Sequence, residues 1–299
     1  MELHTCLWND VEAFHFYDAD FDVLRKAIPG LKVIVHNHES NLFDQKNAVE
    51  AILTWNFESA WYEKLPNLKW IITPAAGKDW VQPDPLGKVK IIYGNFHGKL
   101  LCESLLSALF YMNHQMPKMV RNFEQRAWDR DIQSTSTSLS NQTILIIGFG
   151  NIGQKFAKLL CQLGSRVIGI SRSITKVDFG TEVYSVVALS DYLPEADHIV
   201  LLLPGGQQTE RFMNKTRLER CKKGAYIYNF GRGNALYAKD LVDCWEHLGG
   251  AFLDVVEEEP LPITSELWGL ENIMITPHSS CVYSNYKEEF LKQILRILS

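Results

Sequence analysis

The sequence predicts an α/β protein of two domains, each built on a parallel sheet. Three observations carry that reading. Short apolar segments alternate with helical ones almost throughout the chain. A glycine-rich turn stands between one apolar segment and a helical run. A chain of 299 residues is long enough for two cores rather than one. Hydrophobic residues make up 46% and charged residues 22%, which suits an ordinary globular protein. The net charge of -5 leaves no basic surplus to hold a phosphate backbone, so nucleic acid is excluded as a partner. No apolar run approaches the roughly 20 residues of a membrane span. Residues 1–6 lack the basic and then apolar build of a signal peptide. The six cysteines are scattered singly, without a CxxC pair, which predicts a reduced, cytoplasmic protein with no metal site.

In the first third the expected strands are 5–8, 32–35, 51–54, 68–72 and 90–93. A helix over 21–27 is stopped by Pro29 and Gly30. Leu101, Leu105, Leu109 and Met112 recur at helical spacing and predict a long helix over 101–115, ending near Pro117. A second helical stretch, 119–131, leads into the Ser/Thr tract 133–140, the strongest loop signal in the chain. From Thr143 onward the expected strands are 143–147, 166–170, 198–203, 225–229, 251–255 and 273–276. Their near-continuous apolar runs suit central parallel strands buried on both faces.

The strand 143–147 runs into Gly148, Phe149, Gly150, Asn151, Ile152 and Gly153, followed by a helix over 152–163 and another strand. The first glycine permits a tight turn and the second lets the backbone approach a pyrophosphate. The third lets helix and strand pack closely, while the helix N-terminus supplies partial positive charge. A glycine turn without a ligand is the bland alternative, and the complete strand–turn–helix–strand unit argues against it. At the end of the second strand, where an acid would accept from a ribose 2′-hydroxyl, the chain reads Ser171, Arg172, Ser173. Arg172 offers a guanidinium fork to a 2′-phosphate, and no carboxylate opposes it. The expected cofactor is therefore NADP(H), with NAD(H) possible; a merely solvated strand-end arginine is the competing reading.

Three later features each follow an apolar strand. Arg232 lies in Asn229-Phe230-Gly231-Arg232-Gly233. Asp254 opens a segment that runs through Glu259 to Pro260. His278 closes Thr276-Pro277-His278. Each alone reads as an ordinary surface or loop residue, but all three stand at the edge where open α/β sheets bind ligands. In this order the motifs resemble the D-isomer-specific 2-hydroxyacid dehydrogenase family, in its glyoxylate/hydroxypyruvate reductase-like branch. The resemblance covers most of the chain and is sharpest between about 143 and 280. Weaker matches are Ala75-Ala76-Gly77, similar to the family's substrate-carboxylate loop, and Leu203-Pro204 with Thr209, similar to its cofactor-flanking strand end.

The resemblance implies a Rossmann-type doubly wound parallel sheet as nucleotide domain, over 99–282, and a smaller flavodoxin-like α/β substrate domain, over 1–98 and 283–299. It implies that Arg232 holds the substrate carboxylate and polarises the 2-oxo group. His278 would be the general acid, with Glu259 hydrogen-bonded to it and favouring the imidazolium. The amides of Ala76 and Gly77 would also receive the carboxylate. Cofactor contacts would come from the glycine turn, Ser171, Arg172, Ser173, Leu203, Pro204, Thr209, Phe230, Gly231, Asp254 and Ser280, with Asp254 near the nicotinamide. A homodimer and domain closure over a small 2-oxo acid are implied as well. Two departures bear on substrate: the stretch from Arg232 to Glu259 is short for the family, and bulkier residues, Cys281-Val282-Tyr283, follow His278. Trp55, Trp61, Trp80 and Phe96 are candidates to line a roomier pocket, and His97 stands near the domain crossing as a substrate neighbour or a hinge residue. A nucleotide-sensing protein of the same fold, without turnover, is the alternative from another class; retention of Arg232, Glu259 and His278 together favours the enzyme.

Overall fold

The structure, a computed structural model, describes residues 2–134, 136–173 and 177–298. It divides into two compact units, residues 1–97 with 281–299 and residues 98–280.

The first unit carries a five-stranded sheet: β1 (Glu2–Cys6), β2 (Lys32–Val35), β3 (Ala51–Thr54), β4 (Trp70–Ile72) and β5 (Lys90–Ile92). Every pairing is parallel and the order is β2-β1-β3-β4-β5, the flavodoxin-like winding. β1 begins three residues before its expected start at residue 5, because two polar residues, His4 and Thr5, are fully buried in it. His4 Nδ1 has a partner that the local sequence does not show: it lies 2.9 Å from Nε2 of His36, with the two rings stacked. One face of the sheet is covered by Leu42, Phe57, Trp61, Leu65 and their neighbours. Trp61 is thus a core residue rather than a pocket wall. Around the C-terminal helix Tyr286–Leu298, Phe16, Phe21, Phe96, Tyr286 and Phe290 pack edge and face. His97 belongs to this cluster. It is buried, stacks on Phe96, and its Nε2 lies 3.0 Å from the Tyr286 hydroxyl.

The second unit carries seven strands: β6 (Thr143–Ile147), β7 (Arg166–Ser171), β8 (Glu182–Ser185), β9 (His198–Leu201), β10 (Tyr226–Asn229), β11 (Gly250–Leu253) and β12 (Ile273–Ile275). Their order is β12-β11-β10-β9-β6-β7-β8, again parallel throughout. The winding reverses between β6 and β9, and the crevice outside the strand ends at such a switch point is where α/β sheets bind ligands. β6 and β9 sit at the centre and are almost wholly buried, Ile144, Leu145, Ile146, Ile199, Val200 and Leu201 among them. β8 was not expected: an edge strand with a half-buried Val-Tyr pair gives only a weak period-two signal. The long helix runs over His97–Asn113 and the next over Met116–Glu124, so the expected 119–131 ends early. Its last residues, Trp128 among them, lie beyond the helix and in solvent. The Ser/Thr tract holds short turns at Asp131–Gln133 and Leu139–Asn141. No helix among the described residues is long and apolar enough to cross a membrane.

Candidate active site

The turn after β6 shows three glycines doing three different things. Gly148 has φ of 100°, and a Cβ on it would lie 2.5 Å from the carbonyl oxygen of Leu202, just past β9. Only glycine fits there. Gly153, in the first turn of the helix Asn151–Gln162, sits where a Cβ would meet Gly148 O at 2.9 Å and Ile146 Cγ2 at 3.3 Å, so it sets the helix tight against β6. A Cβ on Gly150 would meet nothing within 4 Å, and its φ of -84° suits any residue. Neither conformation nor protein packing calls for glycine at 150. What glycine leaves there is clear space before the first-turn amides, which lack intrahelical acceptors and carry the positive end of the helix dipole. A pyrophosphate fits such a cradle. Phe149 is buried, its ring filling the place a Cβ on Gly169 of β7 would take, so its backbone lies on the turn while its side chain is structural. Asn151 is exposed and Ile152 half-buried.

At the end of β7, Ser171 is half-buried and Arg172 and Ser173 are exposed. Arg172 Nη1 donates to Gln208 Oε1 at 3.0 Å, a partner on the loop after β9 that sequence patterning gave no reason to choose. That loop, from Leu203 and Pro204 to Thr209, is closed on itself by the Thr209 hydroxyl, 2.7 Å from Pro204 O and 3.0 Å from Gly206 O.

Arg232 is held between two glycines that close approach requires. A Cβ on Gly231 would lie 2.5 Å from Leu203 O, and one on Gly233 only 1.8 Å from Val256 O. Phe230 before them is buried and stacks on Phe252 of β11. Asn229, buried at the end of β10, braces the loop from both sides. Its Oδ1 accepts from Gly231 N at 3.2 Å and its Nδ2 donates to Arg232 O at 3.2 Å. Asn234 extends the bracing, its Nδ2 donating to Gly206 O at 3.2 Å and Glu210 Oε2 at 2.9 Å. These asparagines are positioning residues that motif reading passed over. The available signal was a polar side chain ending an otherwise apolar strand.

Asp254, buried after β11, has a carboxylate that organises the histidine loop. Oδ1 accepts from the Thr276 hydroxyl at 2.7 Å and Ser279 N at 2.9 Å, and Oδ2 accepts from Ser280 N at 3.2 Å. The Asp254 carbonyl accepts from His278 N at 2.9 Å. His278 is thereby held with φ of 49°, a conformation rare outside glycine. Ser280 O in turn accepts from Ser104 on the long helix at 2.7 Å. His278 Nδ1 lies 2.9 Å from Glu259 Oε2, while Glu259 Oε1 accepts from Val256 N at 3.2 Å. The hydrogen bond to Glu259 lifts the His278 pKa above its ordinary value of 6.5, against the opposing effect of burial, with the Glu259 and Asp254 charges helping and Arg232 opposing. Burial would raise the Glu259 pKa, but the His278 hydrogen bond and charge, the Val256 amide and Arg232 together bring it below its usual value. With Nδ1 committed to Glu259, Nε2 is the ring atom left to meet a ligand. Arg232, Glu259 and His278 thus form one electrostatically coupled group in the second unit.

Ala76 and Gly77 stand in the first unit, on the loop after β4, Ala76 exposed and Gly77 half-buried. The base of that loop is fixed by Thr73, whose hydroxyl accepts from Ala75 N and donates to Trp55 O, both at 3.1 Å. Among the described residues no group of three or more His, Cys, Asp or Glu is placed to hold a metal ion.

Residues 106–280 match the family described as D-isomer specific 2-hydroxyacid dehydrogenase, NAD binding domain. The chain is 35% identical over 162 residues to a glyoxylate reductase of Thermococcus kodakarensis, a match covering 52% of this chain and 47% of that one, about half of each. A solved D-isomer specific 2-hydroxyacid dehydrogenase family protein from Aeromonas salmonicida is similar with a TM-score of 0.77 and 30% identity, across 99% of this chain and 95% of that one. A probable 2-hydroxyacid dehydrogenase from Rhizobium etli, solved in complex with NADP, HEPES and L(+)-tartaric acid, gives a TM-score of 0.82 and 25% identity, with 99% and 93% covered.

Proposed function

The chain belongs to the D-isomer-specific 2-hydroxyacid dehydrogenase family, an NAD(P)-dependent oxidoreductase by that membership, and from this premise we propose that it is an NADP-preferring reductase of small 2-oxo acids such as glyoxylate and hydroxypyruvate. The observation that carries the proposal is the coupled group of Arg232, Glu259 and His278 at the strand edge that also bears the glycine cradle.

Each residue has a role that its surroundings support. Arg232 binds the substrate carboxylate and draws electron density from the 2-oxo group; a guanidinium offers paired donors for this. The amides of Ala76 and Gly77 share the carboxylate. His278, protonated and held by Glu259, gives its Nε2 proton to the substrate oxygen as C2 becomes tetrahedral. Glu259 stabilises the imidazolium before transfer and orients the ring. A bound nicotinamide supplies the hydride that C2 receives. The fit of the chain to that cofactor rests on Gly150, where a Cβ would meet no protein atom within 4 Å, and on the helix start behind it. Asp254 has three of about four carboxylate acceptor positions filled by the His278 loop, leaving one for the carboxamide. Ser280, Phe230 and Gly231 border the same edge.

The NADP preference rests on Arg172 and its two serine neighbours, with no acid at the end of β7. The NADP bound to the Rhizobium etli protein is consistent with it. We further propose a homodimer in the cytoplasm. Phe123 and Trp128 are 84% and 92% exposed and close in sequence to half-exposed Val120, an apolar surface that a second copy would cover; light scattering on the purified protein checks this.

The test of function is the initial rate of nicotinamide oxidation with glyoxylate, hydroxypyruvate, pyruvate and phenylpyruvate, NADPH against NADH. Turnover with NADPH well ahead of NADH is expected. Tight NADPH binding without turnover of any acid would instead favour a nucleotide sensor.

A further inference from the structure

We propose that the hollow at the carboxyl edge of the first unit's sheet receives the far end of a 2-oxo acid that carries a cation there, a guanidinium or ammonium group on a short stem; this rests on the function proposed above. The hollow is a cavity of about 460 Å³, lined entirely by residues of the first unit. Glyoxylate, with five heavy atoms, would leave most of such a volume empty, and cavities of this size ordinarily hold larger ligands.

The walls define the chemistry. Trp8, Trp55 and Trp80 line the hollow, and the rings of Trp55 and Trp80 lie 6.3 Å apart, tilted by 54°. Trp8 and Trp80 are about half exposed, although large aromatic rings are more often buried. Asp10 and Glu39 stand among them, with His38 the only basic side chain and no lysine or arginine in the lining. Indole faces beside carboxylates attract a cation and an apolar stem together. The same lining repels a second carboxylate, so dicarboxylic 2-oxo acids are disfavoured. At the floor, burial and then the Glu39 charge push the Cys6 thiol up to about 11, in keeping with an apolar and negative environment.

The backbone ties this hollow to the loop assigned to the substrate carboxylate. Trp80 follows Ala76 and Gly77 on that loop, and its carbonyl accepts from Phe57 N at 3.1 Å. Thr73 joins the start of the loop to the carbonyl of Trp55 at 3.1 Å. The carboxylate donors and the walls formed by Trp55 and Trp80 are therefore parts of one fixed loop system within one unit. A 2-oxo acid anchored at Ala76 and Gly77 would extend its tail from the loop that carries Trp80.

The experiment uses the full chain with NADPH and compares 5-guanidino-2-oxopentanoate with length-matched neutral 2-oxooctanoate and anionic 2-oxoadipate. The guanidino acid should lead the neutral acid by about tenfold in kcat/KM at low salt, with 2-oxoadipate last. The lead should shrink at high salt, and also in the double variant Asp10→Asn, Glu39→Gln, where the ratio of the two acids within one preparation removes any effect of folding. A neutral acid used as well as the cationic one, or a lead that the double variant keeps, overturns the proposal even if glyoxylate is reduced and the function stands. If no 2-oxo acid is reduced, the function falls and the hollow is judged by binding. Saturable quenching of tryptophan fluorescence by butylguanidinium, weakened in the double variant, then supports the cation site, and no saturable quenching rejects it.

Discussion

Two sets of loops leave the carboxyl edges of two parallel sheets in this molecule, and they are built differently. In the second unit the loops are fixed by backbone. Gly148, Gly231 and Gly233 lie so close to neighbouring carbonyls that no side chain fits, and Asn229 and Asp254 tie the loops down by hydrogen bonds to their backbone. In the first unit the corresponding edge is an open hollow with half-exposed tryptophans and exposed carboxylates on its rim. Rigid backbone suits a reaction whose proton donor and charge partner must stay in place. Side-chain walls can be exchanged without disturbing a sheet. Under the proposed function, the reacting groups stand on the fixed loops, and the tail of the substrate meets walls that substitution can change.

That contrast can be broken by substitution. The largest effect is expected for Arg232→Gln, which removes the charged donor from the substrate: kcat/KM for glyoxylate should fall by about 10³-fold, with NADPH affinity held, as rates and cofactor titration would show. Gly233→Ala forces the Val256 carbonyl away, and a displacement near 1 Å should cost about 10²-fold in kcat/KM while circular dichroism keeps its folded form. By contrast Gly150→Ala, with open space and an ordinary φ, should leave the melting temperature nearly unchanged and weaken cofactor binding alone. Arg172→Ser should raise the KM for NADPH by about 10-fold to 100-fold with little change for NADH, the worth of a hydrogen bond to a charged group.

The smallest and most specific effect is on pH. Because Glu259 raises the His278 pKa, the proton for reduction is present below that value and lost as pH rises through it. Glu259→Gln should move the alkaline fall of kcat/KM to lower pH. The same sign applies to stability. The His278 contribution is complete below its unfolded pKa and disappears as pH rises, whereas that of Glu259, whose pKa is lowered, disappears as pH falls. Both side chains are more than a third exposed, so the change in melting temperature should be small.

Legibility in the sequence followed the same division. The parallel sheets could be read because buried strands such as β6 and β9 are continuous apolar runs, and the glycine turn because close backbone approach admits one residue type. The start of β1 was misread because the His4–His36 pair replaces apolar burial with a contact across 32 residues of chain. β8 was missed because an edge strand need not show a strong pattern. The proximity of Glu259 to His278, 19 residues on, has no local signature and entered only through family resemblance. Asn229, Asn234 and Gln208 were passed over for a similar reason. Their partners are backbone groups or loops that only the fold brings near.

In the proposed reaction His278, charged with the help of Glu259, donates the proton that reduction of a 2-oxo acid requires. The most direct measurement is kcat/KM for glyoxylate with NADPH across pH, for the protein and for His278→Asn. A rate that falls above the raised histidine pKa in the protein, and a pH-independent rate about 10²-fold to 10⁴-fold lower in the variant with NADPH binding intact, is the predicted result. Equal rates in the two proteins, or the same alkaline fall in both, would contradict it.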